Sequence, residues 1–315
     1  MQQFKFRYKF LGKSLLILSA SNTFSETAQH RSSSGEASSQ EFNTLGNFSK
    51  VIDEIESSTE AADCKAAFEY TEKFRDGGPQ KSSREAMKSE YHRGMLLSFA
   101  QNVCLKDDPA KGIRADPKTA MISPSSSPND TLKSYLGDKG LLNEISDLTE
   151  KNEKYLIHSF SLLMTLGMLE SSGKVKEGVD KNASGGRNAS EIEAGLFQFS
   201  QNSRSFVDTS RFGIYNNLLK TYQDKPEKCL KGLFDPADKK SPDITESGDK
   251  DADFQKVMKE CPAFAAAYGA VLLRKTDQHN GPLKRKEAEP KIACTKNLEQ
   301  MFTYIKSNPT SCDGI

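Results

Sequence analysis

Tyr155-Leu156-Ile157-His158-Ser159-Phe160-Ser161-Leu162-Leu163-Met164-Thr165-Leu166-Gly167-Met168-Leu169 runs directly into Glu170-Ser171-Ser172-Gly173. The hydrophobic residues of the first part occupy nearly every face of an α-helix, and a helix that is apolar all round is a buried one. Gly173 is the residue type that closes a helix in the left-handed conformation. The stretch therefore predicts a core helix that ends in a lone carboxyl, Glu170.

That placement has a chemical consequence. Apolar surroundings disfavour the charged carboxylate, and the negative end of the helix dipole opposes it as well, so both effects are expected to raise the pKa of Glu170. A carboxyl kept protonated near neutral pH can serve as a general acid. The plainer reading makes Glu170 the first exposed residue after the helix, paired with a lysine.

A second stretch, Glu193-Ala194-Gly195-Leu196-Phe197-Gln198-Phe199-Ser200-Gln201-Asn202, bears on that choice. Gly195 allows a close backbone approach, and Gln198 is an amide among apolar neighbours, able to donate to and accept from a polyhydroxylated ligand. Together, Glu170-Ser171-Ser172-Gly173 and Gly195-Leu196-Phe197-Gln198 resemble the two-part signature of the lysozyme-like superfamily, that is, soluble lytic transglycosylases and goose-type lysozymes. In that family a Glu-Ser pair ends the central helix and a Gly-Leu-Met-Gln element follows one hairpin later. Phe197 stands where Met is usual and preserves its bulk. The chain is also similar to secreted proteobacterial lysozyme-like proteins, among them one acting on deacetylated wall, which makes glucosamine-containing peptidoglycan a candidate substrate.

The resemblance implies a mainly α (α+β) lysozyme-like catalytic domain with a small hairpin between Gly173 and Gly195. It also implies cleavage of peptidoglycan glycan strands, by a muramidase or a lytic transglycosylase, with Glu170 as general acid/base. Hydrolysis ordinarily takes a second carboxylate. Asp180, Glu191 and Glu193 are the candidates, because Ser200 stands where goose-type lysozymes carry an aspartate. A transglycosylase needs only the one Glu. Ser171, Ser172, Gly195, Gln198, Tyr268 and His279 complete the set of candidate substrate contacts. For Ser171 and Ser172 the competing role is capping helix carbonyls, for Tyr268 a place in the core, and for His279 a turn at His279-Asn280-Gly281-Pro282. A reading of another class is a catalytically inactive wall-binding protein of the same fold, since a fold does not dictate function.

The balance of 44 basic against 43 acidic side chains argues against a nucleic-acid partner, which calls for a basic field. No uncharged apolar run approaches the ~20 residues of an integral membrane span. His30, His92, His158 and His279 show no ligand spacing, so neither a metal nor another cofactor is implied. The start has the order of a secretory signal over residues 1–20: Lys5, Arg7, Lys9 and Lys13, then Ser14-Leu15-Leu16-Ile17-Leu18-Ser19-Ala20. Export to the periplasm or the medium is the expectation.

Residues 21–49, rich in Ser, Thr, Asn and Gln, read as a disordered tether. A helical N-terminal region follows over 50–108, with Val51, Ile52, Ile55, Ala61, Ala62, Ala66, Ala67 and Phe68 at helical intervals, a break at Gly77-Gly78-Pro79, and Met87, Tyr91, Met95, Leu96 and Phe99 beyond it. Pro117, Pro124 and Pro128 mark 109–130 as a linker, which leaves 131–315 as the catalytic domain. Within that domain Phe212, Tyr215, Leu218, Leu219 and Tyr222 form an amphipathic helix and 235–253 a surface insertion. Cys261 to Arg274 forms a second buried helix, whose alanines let it pack closely on the first, and Ile292 to Ile305 the last.

Six cysteines with no Cys-x-x-Cys pair suit disulfides better than zinc. The alternative is six reduced thiols in a cytosolic protein. Nearest-neighbour pairing, Cys64 with Cys104, Cys229 with Cys261 and Cys294 with Cys312, is the expectation, at ~3–4 kcal/mol each in the chain-entropy model.

Overall fold

A computed structural model describes residues 37–73, 79–106, 116–123, 130–132, 153–178, 189–207, 213–234, 250–275 and 290–313. The expected signal segment, Asp180, the insertion up to residue 249 and the His279 turn lie outside these residues. Helices dominate the described part. In chain order they are α1 (Ala37–Glu56), α2 (Thr59–Lys65), then after a hairpin of β1 (Phe68–Lys73) and β2 (Pro79–Arg84), α3 (Ser89–Cys104), α4 (Pro117–Ile122) and α5 (Glu153–Ser171). A two-residue ribbon follows, β3 (Glu193–Ala194) and β4 (Phe199–Ser200), and then α6 (Arg204–Val207), α7 (Ile214–Gln223), α8 (Lys231–Phe234), α9 (Lys250–Glu260), α10 (Pro262–Lys275) and α11 (Ile292–Ser307). Both ribbons are antiparallel.

The run that opens the sequence reading is α5, buried from Leu156 through Leu169 as its all-round apolar character requires. α10 is buried from Pro262 through Arg274. The two meet at Gly269, where a Cβ would stand 2.8 Å from Leu163 Cδ2 and 3.0 Å from Phe199 Cζ. On other sides α5 packs on α3, through Phe99 and Phe160 with ring centroids 5.5 Å apart, and on α11, through Ser161 Oγ and Thr295 Oγ1 at 2.6 Å. One hydrophobic cluster runs from Phe48 to Ile305, and 35–315 forms one compact unit. The stretches read as an N-terminal region and a catalytic domain thus share a core. No helix among the described residues is long and apolar enough to cross a membrane.

Several local expectations are corrected. The tether does not reach Ser49: α1 begins at Ala37, Phe48 is fully buried against Tyr304, and Asn47 Nδ2 donates to the Ser311 and Asp313 carbonyls. Polar composition hid this because one aromatic, buried by a helix about 250 residues away, anchors the segment. Gly77-Gly78-Pro79 separates two strands rather than two helices. Phe68↔Arg84 and Lys73↔Pro79 pair across the hairpin, in keeping with the β-propensity of Phe, Tyr and Thr at 68–71.

Within 109–130, α4 is capped by Asp116, whose carboxylate accepts from Thr119 N–H at 2.6 Å. It is also tied to the end of α3 by Lys118 Nζ, which donates to the Asn102 and Val103 carbonyls at 2.6 and 2.8 Å. The described parts of that stretch are core structure, not linker.

The disulfides are Cys64–Cys294, Cys104–Cys312 and Cys229–Cys261. Only the last matches nearest-neighbour pairing, and helix length explains the other two. Met87 N–H donates to Lys65 O, which holds the start of α3 beside Cys64, whereas Cys104 ends a 16-residue helix, about 24 Å long at 1.5 Å per residue. Cys294 and Cys312 are separated by α11 in the same way. α3 and α11 therefore run side by side in the same direction, with Cys104–Cys312 joining their far ends and Cys64–Cys294 tying the start of α11 to α2 beside the start of α3. Crosslinks of this kind form and persist in oxidising compartments.

Candidate functional site at the end of the central helix

Glu170 lies in the last turn of α5, half-buried. The helix stops because Ser172 and Gly173 adopt left-handed φ values of 54° and 74°, which lets Gly173 N–H return to the Gly167 carbonyl at 3.1 Å. Between them and Glu170, Ser171 is buried. Its Oγ lies 2.9 Å from the Gly167 carbonyl of its own helix and 2.8 Å from the Leu196 carbonyl, donating in a shared hydrogen bond. The two stretches singled out in the sequence are thereby joined.

The second stretch is the turn of the β3–β4 ribbon. Gly195 N–H donates to Glu177 O at 2.9 Å and Gln198 N–H to Gly195 O at 3.2 Å, while the Gln198 side-chain Nε2 reaches Gly195 O at 2.8 Å and Glu177 O at 3.4 Å. Gly195 has φ of 76°, and a Cβ there would lie 2.6 Å from the Met258 carbonyl of α9. Phe197 fills the notch above Gly167: its Cε1 would be 3.2 Å from a Cβ at that glycine. This accounts physically for a bulky apolar residue at 197.

Several candidate contacts have structural duties, which for Ser171 and Tyr268 are the competing roles the sequence itself offered. Ser171 is a latch between helix and turn, with its hydroxyl spent on backbone. The close approach at Gly195 is to the Met258 carbonyl. Gln198, 7% exposed, uses its amide nitrogen to brace its own turn. Its Oε1 is the atom left as an acceptor, with no partner among the described residues.

Tyr268 is a core residue: its ring is packed by Phe199, Tyr215, Phe254 and Phe264. Ser203 Oγ gives its proton to Ser200 O at 2.5 Å, so the Tyr268 hydroxyl, 2.6 Å away, donates to Ser203. Burial pushes that phenol above its ordinary pKa. Tyr268 thus supports the ribbon from behind. Ser172 is partly exposed beside Glu170, and Glu193 is half-buried at the start of β3, directly opposite Ser200. Asp180 and His279 lie outside the described residues.

Sequence reasoning missed the site's main buttress, Tyr91 of α3. Its hydroxyl donates to the Met164 carbonyl at 2.9 Å and reaches that of Leu163 at 3.3 Å, and its ring runs under Gly167 and Gly173. The one local signal for it was a glycine inside an otherwise bulky helix, which marks close approach by a neighbour. Comparison of the chain with protein-family models, with curated proteins and with solved structures found no match.

Proposed function

We propose that the protein cleaves peptidoglycan glycan strands, with Glu170 as the general acid that protonates the leaving glycosidic oxygen. The observation that carries this reading is the Ser171–Leu196 hydrogen bond, which joins a carboxyl-bearing helix end to a turn presenting the Gln198 amide oxygen. A half-buried acid beside a rigid turn is an arrangement that serves proton transfer to a bound ligand, because the supporting shell holds both in register. The three disulfides and the signal-like start support export to the compartment where wall is found. Acidic residues near the turn, Glu177, Glu191 and Glu193, suit cationic amino sugars and make deacetylated strands a candidate substrate.

The test is digestion of purified sacculi, native and deacetylated, with mass spectrometry of what is released. Wild type is expected to release muropeptides, and Glu170→Gln is expected to abolish release while leaving sacculus pull-down intact. A second reading, wall binding without cleavage, is favoured by the internal use of Ser171, Gly195 and the Gln198 nitrogen. Binding by wild type with no muropeptide released would establish it.

A further inference from the structure

We infer that Ser98, Gln101 and Asn102, in the C-terminal half of α3, form an internal binding site for water between α3 and α7. The three side chains are spaced i, i+3 and i+4, so they adjoin on one face of the helix. Ser98 and Asn102 are fully buried and Gln101 is 4% exposed. Among the described residues, Ser98 Oγ, Asn102 Oδ1 and both polar atoms of the Gln101 amide have no hydrogen-bond partner.

Neighbouring elements enclose that face. One turn earlier, Gly94 lies under the Phe234 ring of α8, where a Cβ would stand 2.6 Å from Cδ2. At the other end the Tyr222 hydroxyl of α7 is beside Asn102, outside hydrogen-bond geometry for Oδ1. Lys118 of α4 closes over the Asn102 carbonyl at 2.6 Å. The Asn102 amide is also oriented: Nδ2 donates to Ser98 O at 2.7 Å, which leaves Oδ1 as the acceptor. Ser98 differs from the buried hydroxyls of α5, where Ser159 donates to Tyr155 O at 2.8 Å and Thr165 to Leu162 O at 3.0 Å.

Leaving such an atom unmade costs more than an ordinary hydrogen bond contributes, and four on one face would offset much of a domain's stability. Their types match water. Gln101 Oε1 and Asn102 Oδ1 accept, Gln101 Nε2 and Ser98 Oγ donate, and a water molecule can do both. A buried water makes about three hydrogen bonds to groups of this kind. The three side chains carry no charge, which favours a neutral occupant. The site does not depend on the role of Glu170.

The experiment uses the full chain, isotope-labelled, and reads nuclear Overhauser transfer from water to the Gln101 side-chain amide, a signal assigned by its loss in Gln101→Met. Urea unfolding of the same two proteins is the second measurement. Transfer with the sign of a long-lived bound water is expected in wild type. Gln101→Met is expected to lower the urea midpoint by roughly 0.5 M, because it leaves Ser98, Asn102 and the water short of partners. A Gln101 amide without such transfer overturns the inference, whether or not the variant folds. So does a midpoint unchanged or raised in Gln101→Met, the outcome for an amide buried dry, since methionine of similar size removes two unpaired atoms.

Discussion

Arg274 and Asp130 form an ion pair at 3.0 Å with 1% and 2% of their side chains exposed, across 144 residues of sequence. The guanidinium is nearly saturated. Nε reaches both carboxylate oxygens, Nη1 donates to Met121 O at 2.5 Å and Nη2 to Ser123 O at 2.7 Å, and the group lies 4.3 Å above the Tyr155 ring. One side chain thus gathers the end of α10, the end of α4 and the start of α5. Removing one partner of such a pair leaves the other charge buried and uncompensated. Asp130→Ala is therefore expected to cost about 3–5 kcal/mol, read as a lower midpoint in urea unfolding.

The Ser171 latch separates folding from function. Ser171→Ala removes the tie between Gly167, Leu196 and the end of α5 and is expected to cost about 1–2 kcal/mol. On the proposed glycan-cleaving reading, its effect on muropeptide release should exceed its effect on sacculus pull-down, because the loss falls on the register between Glu170 and the turn. Equal loss of both would show that Ser171 only supports the fold.

Gly195→Ala meets two penalties at once, a left-handed backbone and a Cβ 2.6 Å from the Met258 carbonyl. A cost of at least about 1–3 kcal/mol is expected. Limited proteolysis should then cut near the ribbon at temperatures where wild type resists. At Gly46, whose Cβ would meet nothing within 4 Å, alanine should be tolerated.

His158 predicts an acid limit to stability. It is 2% exposed, neither ring nitrogen has a hydrogen-bond partner among the described residues, and burial, helped by the charge of Lys154, lowers its pKa from 6.5 to about 4. The unfolded chain therefore binds more protons than the folded one between those values. Its contribution is intact above pH 6.5, falls as the pH drops through that window, and is lost below about 4, amounting to about 3 kcal/mol.

A second loss follows at lower pH. Burial opposes the charge of Glu56, but hydrogen bonds from His92 and Lys65 outweigh it and hold the carboxyl at about 2, so that contribution fades between pH 4.5 and 2. Urea unfolding across pH 4 to 7 checks the first window, and His158→Leu should flatten it.

Non-reducing peptide mapping should recover Cys64 with Cys294 and Cys104 with Cys312. Loops of 230 and 208 residues imply about 5 kcal/mol for each crosslink in the chain-entropy model. The double variant Cys104→Ser/Cys312→Ser should lose stability on that scale, with α11 the first element to exchange amide hydrogens.

What the sequence determined by itself was local. A fifteen-residue apolar run could only be a buried helix, Gly173 could only end it by turning left-handed, and Glu170 had to sit where it stopped. The alanine-rich run at 263–270 was legible as a second core helix for the same reason. Periodicity and punctuation depend on neighbours within a few residues, so they survive without the fold.

Tertiary structure alone decided who meets whom. The polar stretch before Ser49 hid an anchoring aromatic at Phe48, and the length of α3 and of α11 set the cysteine pairing. Ser171, Gly195 and Gln198 took their roles from partners 25, 63 and 21 residues away, namely the Leu196 carbonyl, the Met258 carbonyl and the Glu177 carbonyl. A side chain able to hold a ligand is equally able to hold a backbone. Only packing, by bringing a carbonyl into hydrogen-bond range or leaving that place to solvent, chooses between them.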